Sequence, residues 1–332
     1  MIKSVTISPY NSNSHMGEKA RSLVADISSC DGIVNTNSSI YKKEIAVQNV
    51  QENVLDDIDT CIQYVKYMNF VKSSYTNIGI FEPSLQGNTQ EKNFLRLLDY
   101  IIVRSHKQRS LLPKCLQPKT FVARPNVAQV AKQSPIKKIS KDTAFCVSAL
   151  GKHTNLEKVL KAYLSSFTSK DNVILNILSN SPEELSKFVT DIRNSLSIFG
   201  KIDLYPTVAI YGNADVYQKS NCFIDVSMDY SISLHTMMSV SYANPLVTCN
   251  HDGILEWLDQ SGCYIVDSRS GTRESNLIGN IPDEIHLSET MKRVVRDRKE
   301  LNRKQSFMLD SGFKSFYYNK EKSVGDIVCS LL

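Results

Sequence analysis

One candidate binding segment follows an apolar run in the second half of the chain. It reads Gly151-Lys152-His153-Thr154-Asn155 and comes directly after Leu150. A lysine beside the start of a helix suits a diphosphate, because its charge adds to the free N–H groups of the helix N-terminus. The segment is not a P-loop, since G-x-x-x-x-G-K-[ST] is absent. It predicts phosphate binding by Lys152, His153 and Asn155, with a solvated loop as the alternative.

A second candidate segment runs from Asp229 to Thr236 and joins an apolar strand to a helix. Its small hydroxyl residues and backbone N–H groups can surround the oxygens of a ribose and a phosphate. The residues assigned to this binding segment are Asp229, Tyr230, Ser231, Ser233 and Leu234. The alternative is that Ser231 or Ser233 only caps the following helix.

Two further candidates follow strands in the first half. His15 and Gly17 lie between the first strand and the first helix, where glycine lets a ligand approach the backbone. A plain tight turn is the alternative. Glu82 follows the apolar run at residues 77–81, where a carboxylate can act on an acceptor hydroxyl or bind a sugar. Helix capping or simple solvent exposure is the alternative there. The G-x-G-x-x-G fingerprint is absent, which argues against an NAD enzyme.

The spacing of the cysteines, histidines and aspartates gives little support for a metal site. The eight cysteines are scattered without a C-x-x-C pair, and the six histidines lack H-x-x-x-H and H-E-x-x-H spacing. Asp57-Ile58-Asp59 matches a short D-x-D metal pattern, but it stands in a charged segment before a strand. We therefore expect no metal and no cofactor, and we expect the reduced thiols of a cytoplasmic protein.

Apolar strand runs alternate with helical patterns in both halves, which predicts parallel sheets covered by helices. The predicted strands cover residues 2–8, 60–65, 77–81, 100–103, 120–123, 144–150, 172–178, 221–227, 245–249 and 263–266. The predicted helices cover residues 17–28, 90–98, 105–112, 156–167, 182–196, 233–242, 252–258, 287–302 and 324–331. Ser105 directly follows a strand and is expected to cap the next helix.

The length of 332 residues favours two domains. Residues 127–141 are polar, basic and proline-containing, and they are predicted to link the two. The predicted Rossmann-like domains cover residues 1–130 and 140–305. Residues 306–332 are predicted to form a helical segment that packs back on the N-terminal domain.

The net charge of +5 suits an anionic partner such as a nucleotide diphosphate, a membrane surface or DNA. The densest basic run, Lys292–Lys304, is interpreted as a solvated helix face. The N-terminus has the pattern of a strand rather than a signal peptide, and no apolar stretch approaches about 20 residues. We therefore expect no transmembrane segment.

The order of these motifs resembles the GT-B glycosyltransferases, in particular the retaining, family-4-like group. SPYNSNSHMGEKARSLVADI resembles that family's first strand, glycine-containing loop and helix, and Asp99 with Ser105 resembles its pattern of aspartate, apolar strand, serine and helix. SALGKHTNLEKVLKAYLSSFTSKDNVILNIL resembles the opening of its donor domain, and Asn213 to Asp267 resembles its most diagnostic block. The resemblance implies an α/β fold of GT-B type, with two Rossmann-like domains and a cleft between them.

The diagnostic block departs from the family pattern in its donor motif. In the family this block carries two glutamates eight positions apart, with a glycine-rich turn between them. Aligned on Pro245, the two glutamate positions fall on Tyr230 and Met238, and the turn glycines are replaced by serines. Neither tyrosine nor methionine replaces a carboxylate that accepts hydrogen bonds from hydroxyls, although Asp229 is adjacent.

The resemblance implies a soluble, metal-independent glycosyltransferase that moves a hexosyl or pentosyl group from a nucleotide-sugar to an acceptor hydroxyl with retention. The N-terminal domain is expected to bind the acceptor, a carbohydrate, a glycan or modified DNA, and the C-terminal domain the donor. The implied catalytic residues are Glu82 and Asp229. The implied donor-binding residues are Lys152, His153, Asn155, Tyr230, Ser231, Ser233, Leu234 and Met238. The implied acceptor-side residues are His15, Gly17 and Ser105.

Two alternatives stay open. The missing glutamates fit a catalytically silent GT-B-like subunit that binds a partner or a sugar polymer. The mild positive charge fits a glycosyltransferase that acts on modified DNA, in which case DNA binding depends strongly on salt.

Overall fold

Two six-stranded parallel sheets organise the chain in the computed structural model. They belong to two compact units: the first comprises Met1–Gln129 and Asn319–Leu332, and the second comprises Val130–Tyr318. The structure describes residues 2–8, 20, 23–27, 33–39, 60–63, 76–80, 93, 95–124, 143–149, 154–196, 205–212, 215–227, 233–250, 253–272, 278–312 and 322–331.

The sheet of the first unit is parallel throughout. Its strands are β1 (Ile2–Ser8), β2 (Ile33–Ser39), β3 (Thr60–Gln63), β4 (Thr76–Ile80), β5 (Tyr100–Val103) and β6 (Thr120–Val122). They lie in the order β2-β1-β3-β4-β5-β6. Residue 20 and residues 23–27 are helical between β1 and β2, as a parallel crossover requires.

The sheet of the second unit is also parallel. Its strands are β7 (Thr143–Ser148), β8 (Val173–Leu178), β9 (Thr207–Tyr211), β10 (Cys222–Asp225), β11 (Leu246–Cys249) and β12 (Cys263–Val266). The order is β9-β8-β7-β10-β11-β12. Strands β8 and β9 are added on one side of β7, and strands β10, β11 and β12 are added on its other side. Strands β13 (Ser268–Thr272) and β14 (Ile278–Pro282) form a separate antiparallel hairpin. The β7/β10 boundary is the switch point where ligands bind in folds of this order.

Eight further α-helices have both ends within the described residues: α1 (His106–Leu111), α2 (Leu156–Ser166), α3 (Pro182–Leu196), α4 (Asp215–Gln218), α5 (Leu234–Ser241), α6 (Glu284–Arg296), α7 (Arg298–Phe307) and α8 (Val324–Leu331). Short 3₁₀ turns cover Gln117–Lys119, Gly253–Glu256 and Gln260–Gly262, and a π-helical turn covers Met308–Gly312. Local sequence explains several helix starts. Pro182 opens α3, and the Asp283 carboxylate accepts a hydrogen bond from the His286 N–H at 2.8 Å at the start of α6.

The single helix predicted over residues 287–302 is wrong, because two helices form there instead. Asp297 adopts φ −97° and ψ 78° and donates its N–H to the Arg293 carbonyl, which ends α6. Its side chain accepts a hydrogen bond from the Glu300 N–H at 2.9 Å, which caps α7. An aspartate that can bond to nearby backbone interrupts an otherwise helical pattern in this way.

The core of the first unit joins residues that are far apart in the chain. The members are buried aliphatic side chains, including Leu23, Ile27, Ile62, Ile78, Ile80 and Ile102 with Val324, Ile327 and Val328 of α8. Beside this core, the Asp26 carboxylate accepts a hydrogen bond from the Gly325 N–H at 3.3 Å. Asp26 therefore caps the N-terminus of α8 from another segment of the chain.

The core of the second unit contains a cluster of aromatic rings. The ring of Phe145 on β7 lies 6.4 Å from that of Tyr163 and 6.2 Å from that of Phe167, measured between centroids. The Tyr163 hydroxyl lies 3.2 Å from the Val173 carbonyl oxygen and 2.9 Å from that of Thr207. Burial raises the pKa of Tyr163, so this hydroxyl stays protonated and donates its hydrogen bond.

The predicted parallel α/β architecture is confirmed. Strands form at residues 2–8, 100–103 and 263–266, and helices at 182–196 and 324–331, over the predicted bounds. The predictions missed β2, β9, α4 and the β13–β14 hairpin, and the linker predicted at 127–141 lies outside the described residues. In the described part of the chain, no helix is long and apolar enough to cross a bilayer.

Candidate functional site

Asn155 joins the loops that follow β7 and β10. It precedes α2, and its Nδ2 donates to the Val226 carbonyl at 2.6 Å and to the Asn280 carbonyl at 3.0 Å. Val226 comes directly after β10, and Asn280 lies on β14. One side chain therefore holds together three segments at the carboxyl end of the sheet, at its switch point.

The backbone of Asn155 explains why this residue type stands here. Its φ of 51° and ψ of 30° are left-handed, a conformation that asparagine adopts more readily than other residues with a Cβ. Its carbonyl accepts hydrogen bonds from the N–H groups of Lys158 and Val159, which starts α2. Because its side chain turns away from the helix, α2 begins without a side-chain cap. An uncapped helix N-terminus favours an anion at this position.

Asp225 closes β10 and ties it to α5. Its Oδ2 accepts a hydrogen bond from the Thr236 hydroxyl, and its Oδ1 accepts one from the Ser227 N–H at 3.3 Å. Thr236 is fully buried in α5, and Asp225 is almost so. A buried carboxylate bonded to hydroxyl and backbone donors fixes the first turn of α5 against the end of the strand.

The start of α5 carries three of the predicted donor residues. Ser233 caps the helix, since its Oγ accepts a hydrogen bond from the His235 N–H at 3.2 Å. Leu234 and Met238 are partly exposed and lie four residues apart, on one side of the helix. On the buried side, His235 Nδ1 shares a 2.6 Å hydrogen bond with the Tyr217 hydroxyl.

Two asparagines leave polar atoms unsatisfied beside this site. Asn280 is fully buried, and neither its Oδ1 nor its Nδ2 has a hydrogen-bond partner among the described residues. The Oδ1 of Asn155 is likewise buried without a partner in that part of the chain. Unsatisfied buried amide atoms destabilise a fold, and here they lie beside the carboxyl end of the sheet.

The described part of the chain contains four of the predicted donor residues. Asn155 lies at the start of α2, and Ser233, Leu234 and Met238 lie at the start of α5 and along it. These are the helices that follow β7 and β10. Five other predicted donor-side residues lie outside the described residues: Lys152, His153, Asp229, Tyr230 and Ser231.

In the first unit the structure describes one predicted acceptor-side residue, Ser105. It is fully buried, and its Oγ accepts a hydrogen bond from the Gln108 N–H at 3.0 Å. The predicted N-cap of α1 is therefore confirmed, whereas a contact with an acceptor stays a prediction. His15, Gly17 and Glu82 lie outside the described residues.

Among the described residues, no group of three or more His, Cys, Asp or Glu side chains is placed to hold a metal ion. The D-x-D pattern at Asp57 and Asp59 lies outside them. The absence of a metal therefore stays a prediction for the whole chain.

The sequence analysis missed Asp225 and Asn280, and it included Thr236 in the candidate segment 229–236 without assigning it a role. Asp225 had a usable signal, because it is an acidic residue at the end of a buried apolar strand, the same pattern that selected Glu82. Thr236 is one of several hydroxyl residues in its segment and has no distinguishing pattern. Asn280 lies in the hairpin that was not predicted, so its approach to Asn155 could not be foreseen.

Three solved structures resemble this chain over almost its whole length. Sucrose-phosphate synthase from Thermosynechococcus elongatus matches with a TM-score of 0.67 at 10% identity, covering 100% of this chain and 99% of that one. HepE from Anabaena, in complex with UDP and glucose, matches with a TM-score of 0.64 at 9% identity, covering 100% and 99%. WaaG, a glycosyltransferase involved in lipopolysaccharide biosynthesis, matches with a TM-score of 0.66 at 10% identity, covering 95% and 97%. No protein-family model and no curated protein matches this chain.

These likenesses show that the chain has the GT-B fold, with two Rossmann-like units. The fold class predicted from the sequence is confirmed. With about one residue in ten identical, the likeness defines the fold alone, and function has to be argued from this chain's own residues.

Proposed function

We propose that this protein is a nucleotide-sugar-dependent glycosyltransferase whose second unit binds the donor. The observation that carries the proposal is the contact of Asn155 with Val226, which joins the loops after β7 and β10 at the switch point. Two helices, α2 and α5, follow the two strands that meet at that point, and helix N-termini in such positions bind phosphates. The description of HepE in complex with UDP and glucose supports the same ligand class for this fold.

In the proposed donor site, Lys152 and His153 bind the diphosphate together with the backbone at residues 231–234. Asp229 accepts hydrogen bonds from the ribose or the donor sugar. The bond between the sugar and the diphosphate oxygen breaks, and a bond forms to the acceptor oxygen. The acceptor proton passes to the departing diphosphate, whose negative charge the basic groups stabilise. This retaining reaction requires no metal and no cofactor.

The acceptor in this proposal is a carbohydrate or glycan hydroxyl bound by the first unit. His15 and Gly17 line its site, and Glu82 orients the hydroxyl. Ser105, which starts α1 directly after β5, is assigned to the same site in this proposal.

A catalytically silent binding subunit is the second candidate, and Tyr230 and Met238 favour it. Both stand where the resemblance calls for glutamates that bind donor hydroxyls. The side chain of Met238 is partly exposed on α5 and offers no oxygen to a sugar. The third candidate is a glycosyltransferase that acts on modified DNA. It differs from the first candidate only in the acceptor that receives the sugar.

The test is nucleotide release from a panel of UDP-, GDP- and ADP-sugars, combined with calorimetric titration of each nucleotide. The enzyme is expected to bind one nucleotide and to release it from the matching sugar. Lys152→Ala is expected to weaken that binding about tenfold or more, because it removes a charge-assisted contact with the diphosphate. Lys170→Ala, on an exposed turn after α2, is the matched control and leaves affinity unchanged.

Each outcome assigns a candidate. Binding of a nucleotide without any release, with every donor and added acceptor, supports the silent subunit. Absence of binding to all nucleotides overturns the glycosyltransferase proposal.

A further inference from the structure

The whole net charge of the chain resides in one short segment. Residues 292–304 contain seven lysines or arginines and two acidic residues, a net charge of +5. The net charge of the complete chain is also +5, so basic and acidic residues balance in the rest of it. The segment forms the end of α6 and most of α7. Its positive charge is therefore concentrated on two adjacent helices.

Three of these basic side chains have partners within the chain, although Arg293 itself is exposed. The Arg293 guanidinium forms two 2.7 Å hydrogen bonds with the Glu300 carboxylate. The Lys304 ammonium is buried and donates to the Cys263 carbonyl at 2.6 Å. Arg298 also has a polar or electrostatic partner. These residues stabilise the helix pair, and they are excluded from the surface considered next.

The other four basic residues make up what we call the basic face, two on α6 and two on α7: Lys292, Arg296, Lys299 and Arg303. Lys292 is half-buried and the other three are exposed. None of the four forms an ion pair within the described part of the chain. Positive charge that is not neutralised in an ion pair is free to attract an anionic surface.

The same helices and the turn after them carry two exposed apolar side chains. Ile285, which is 73% exposed, lies on α6 seven residues before Lys292 and so on the same side of the helix. Leu309, which is 67% exposed, follows α7. These two are the most exposed large hydrophobic side chains among the described residues. Water contacts both side chains, and their burial requires a partner with apolar surface. Together with the four basic residues, they call for a partner that is both apolar and anionic.

We propose that the basic face, with Ile285 and Leu309, docks on the surface of an anionic lipid bilayer. The four cations attract acidic headgroups, and the two apolar side chains enter the boundary between headgroups and acyl chains. Nucleic acid is the weaker fit, because a phosphate backbone takes up the cations but offers no apolar surface to Ile285 and Leu309. The proposal is independent of the glycosyl transfer proposed above.

The experiment is cosedimentation of the full chain with vesicles of phosphatidylcholine, with or without about one quarter phosphatidylserine, at low and high salt. The wild-type chain is expected to bind the acidic vesicles at least about tenfold more tightly than the neutral ones, and less tightly at high salt. Lys299→Glu combined with Arg303→Glu is expected to weaken binding at least about tenfold, since each cation near the surface contributes about fivefold. Leu309→Ser is expected to weaken binding about threefold or more at both salt concentrations, because apolar insertion is not screened.

A matched control separates the basic face from net charge. Lys170→Glu combined with Lys187→Glu changes the net charge equally, and both residues are exposed elsewhere on the second unit. This control is expected to keep wild-type vesicle binding. Fluorescence of Trp257, the chain's only tryptophan, checks that every variant folds.

Three results overturn the proposal. One is a wild-type chain that does not distinguish acidic from neutral vesicles. Another is equal loss of binding in the control and in the Lys299/Arg303 variant. The third is tight binding of a DNA duplex that depends on Lys299 and Arg303 while the acidic vesicles stay unbound, which assigns the surface to nucleic acid.

Discussion

At the residue scale, Asn155 is constrained twice, by its left-handed φ of 51° and by the two hydrogen bonds that its Nδ2 donates. Alanine at this position keeps a strained backbone and leaves the carbonyls of Val226 and Asn280 without their donor. Few other residue types satisfy both requirements.

We expect Asn155→Ala to lower the free energy of unfolding by about 3 kcal/mol, from left-handed strain of about 1 kcal/mol and from the lost hydrogen bonds. Urea denaturation followed by Trp257 fluorescence measures it. Asn155→Gly loses the same hydrogen bonds without the strain, so it is expected to lose about 1 kcal/mol less. Equal stability of both variants and the wild type contradicts this account.

Replacement of Asn280, unlike that of Asn155, is expected to cause little loss of stability. Its amide atoms have no partner in the described part of the chain, so Asn280→Leu removes an unsatisfied polar group at similar volume. We expect the variant to be within about 1 kcal/mol of the wild type or more stable, by thermal unfolding. The control is Asn176→Leu, which removes a 3.0 Å hydrogen bond to Ser220 and is expected to lose about 1–3 kcal/mol. A larger loss for Asn280→Leu shows that its amide binds something in solution.

Contacts of single residues were predicted correctly where they depend only on neighbouring residues in the sequence. The caps at Ser105 and Ser233 follow from a hydroxyl residue placed between a strand and a helix, and both are found. The bond between Asn155 and Asn280 spans 125 positions, and no local pattern signals it. Asp225 had a local signal, but the burial of its carboxylate against Thr236 depends on how α5 packs on β10.

At the scale of elements, α8 is held to the first unit by a buried acid. Burial raises the pKa of Asp26, while Arg104, the N–H groups of Gly325 and Val324 and the Ser323 hydroxyl lower it to a smaller extent. Because the folded state favours the neutral acid, this group stabilises the fold below the ordinary carboxyl pKa. That contribution is lost as pH rises through the folded-state pKa.

We therefore expect Asp26→Asn, which stays neutral at every pH, to gain stability relative to the wild type as pH rises from about 4 to about 7. Urea denaturation followed by far-UV circular dichroism across this pH range measures the difference. Parallel pH profiles for the two chains contradict the role given to burial.

Elements were predictable where apolar residues form uninterrupted runs or where a residue type marks a boundary. Strands β5 and β12 are such runs, and Pro182 marks the start of α3. The β2 sequence, Ile-Val-Asn-Thr-Asn-Ser-Ser, is mostly polar, so hydropathy does not indicate the strand that pairs beside β1. The break between α6 and α7 was also missed, since Asp297 ends one helix only by capping the next.

At the scale of the whole molecule, residues 319–332 belong to the first unit, and Trp257 lies buried in the second. We expect a chain truncated after Tyr318 to lose more than about 4 kcal/mol from the first unit, because three buried aliphatic residues of α8 leave its core. The second unit is expected to remain folded. Trp257 emission then keeps its wild-type denaturation midpoint while far-UV circular dichroism loses intensity. A truncated chain with unchanged circular dichroism refutes this expectation.

The alternation of strands and helices predicted a parallel α/β protein, and the resemblance in motif order implied the GT-B architecture, although no family model matches the chain. Order along the chain survives extensive substitution, because buried positions need only apolar residues of suitable size. Donor chemistry depends instead on particular side chains. Because Tyr230 and Met238 stand at the positions of the family's glutamates, the resemblance says least about function at these two residues.

The position of α8 also affects the order in which the protein folds during translation. The residues that form the core of the second unit are all available once Leu301 and its neighbours have emerged from the ribosome. The first unit, although synthesised earlier, must wait for Val324, Ile327 and Val328 before its core is closed. About 200 residues separate its last strand from this helix, which corresponds to roughly 10–40 seconds of synthesis. During that interval the nascent N-terminal half exposes an apolar surface that chaperones can recognise.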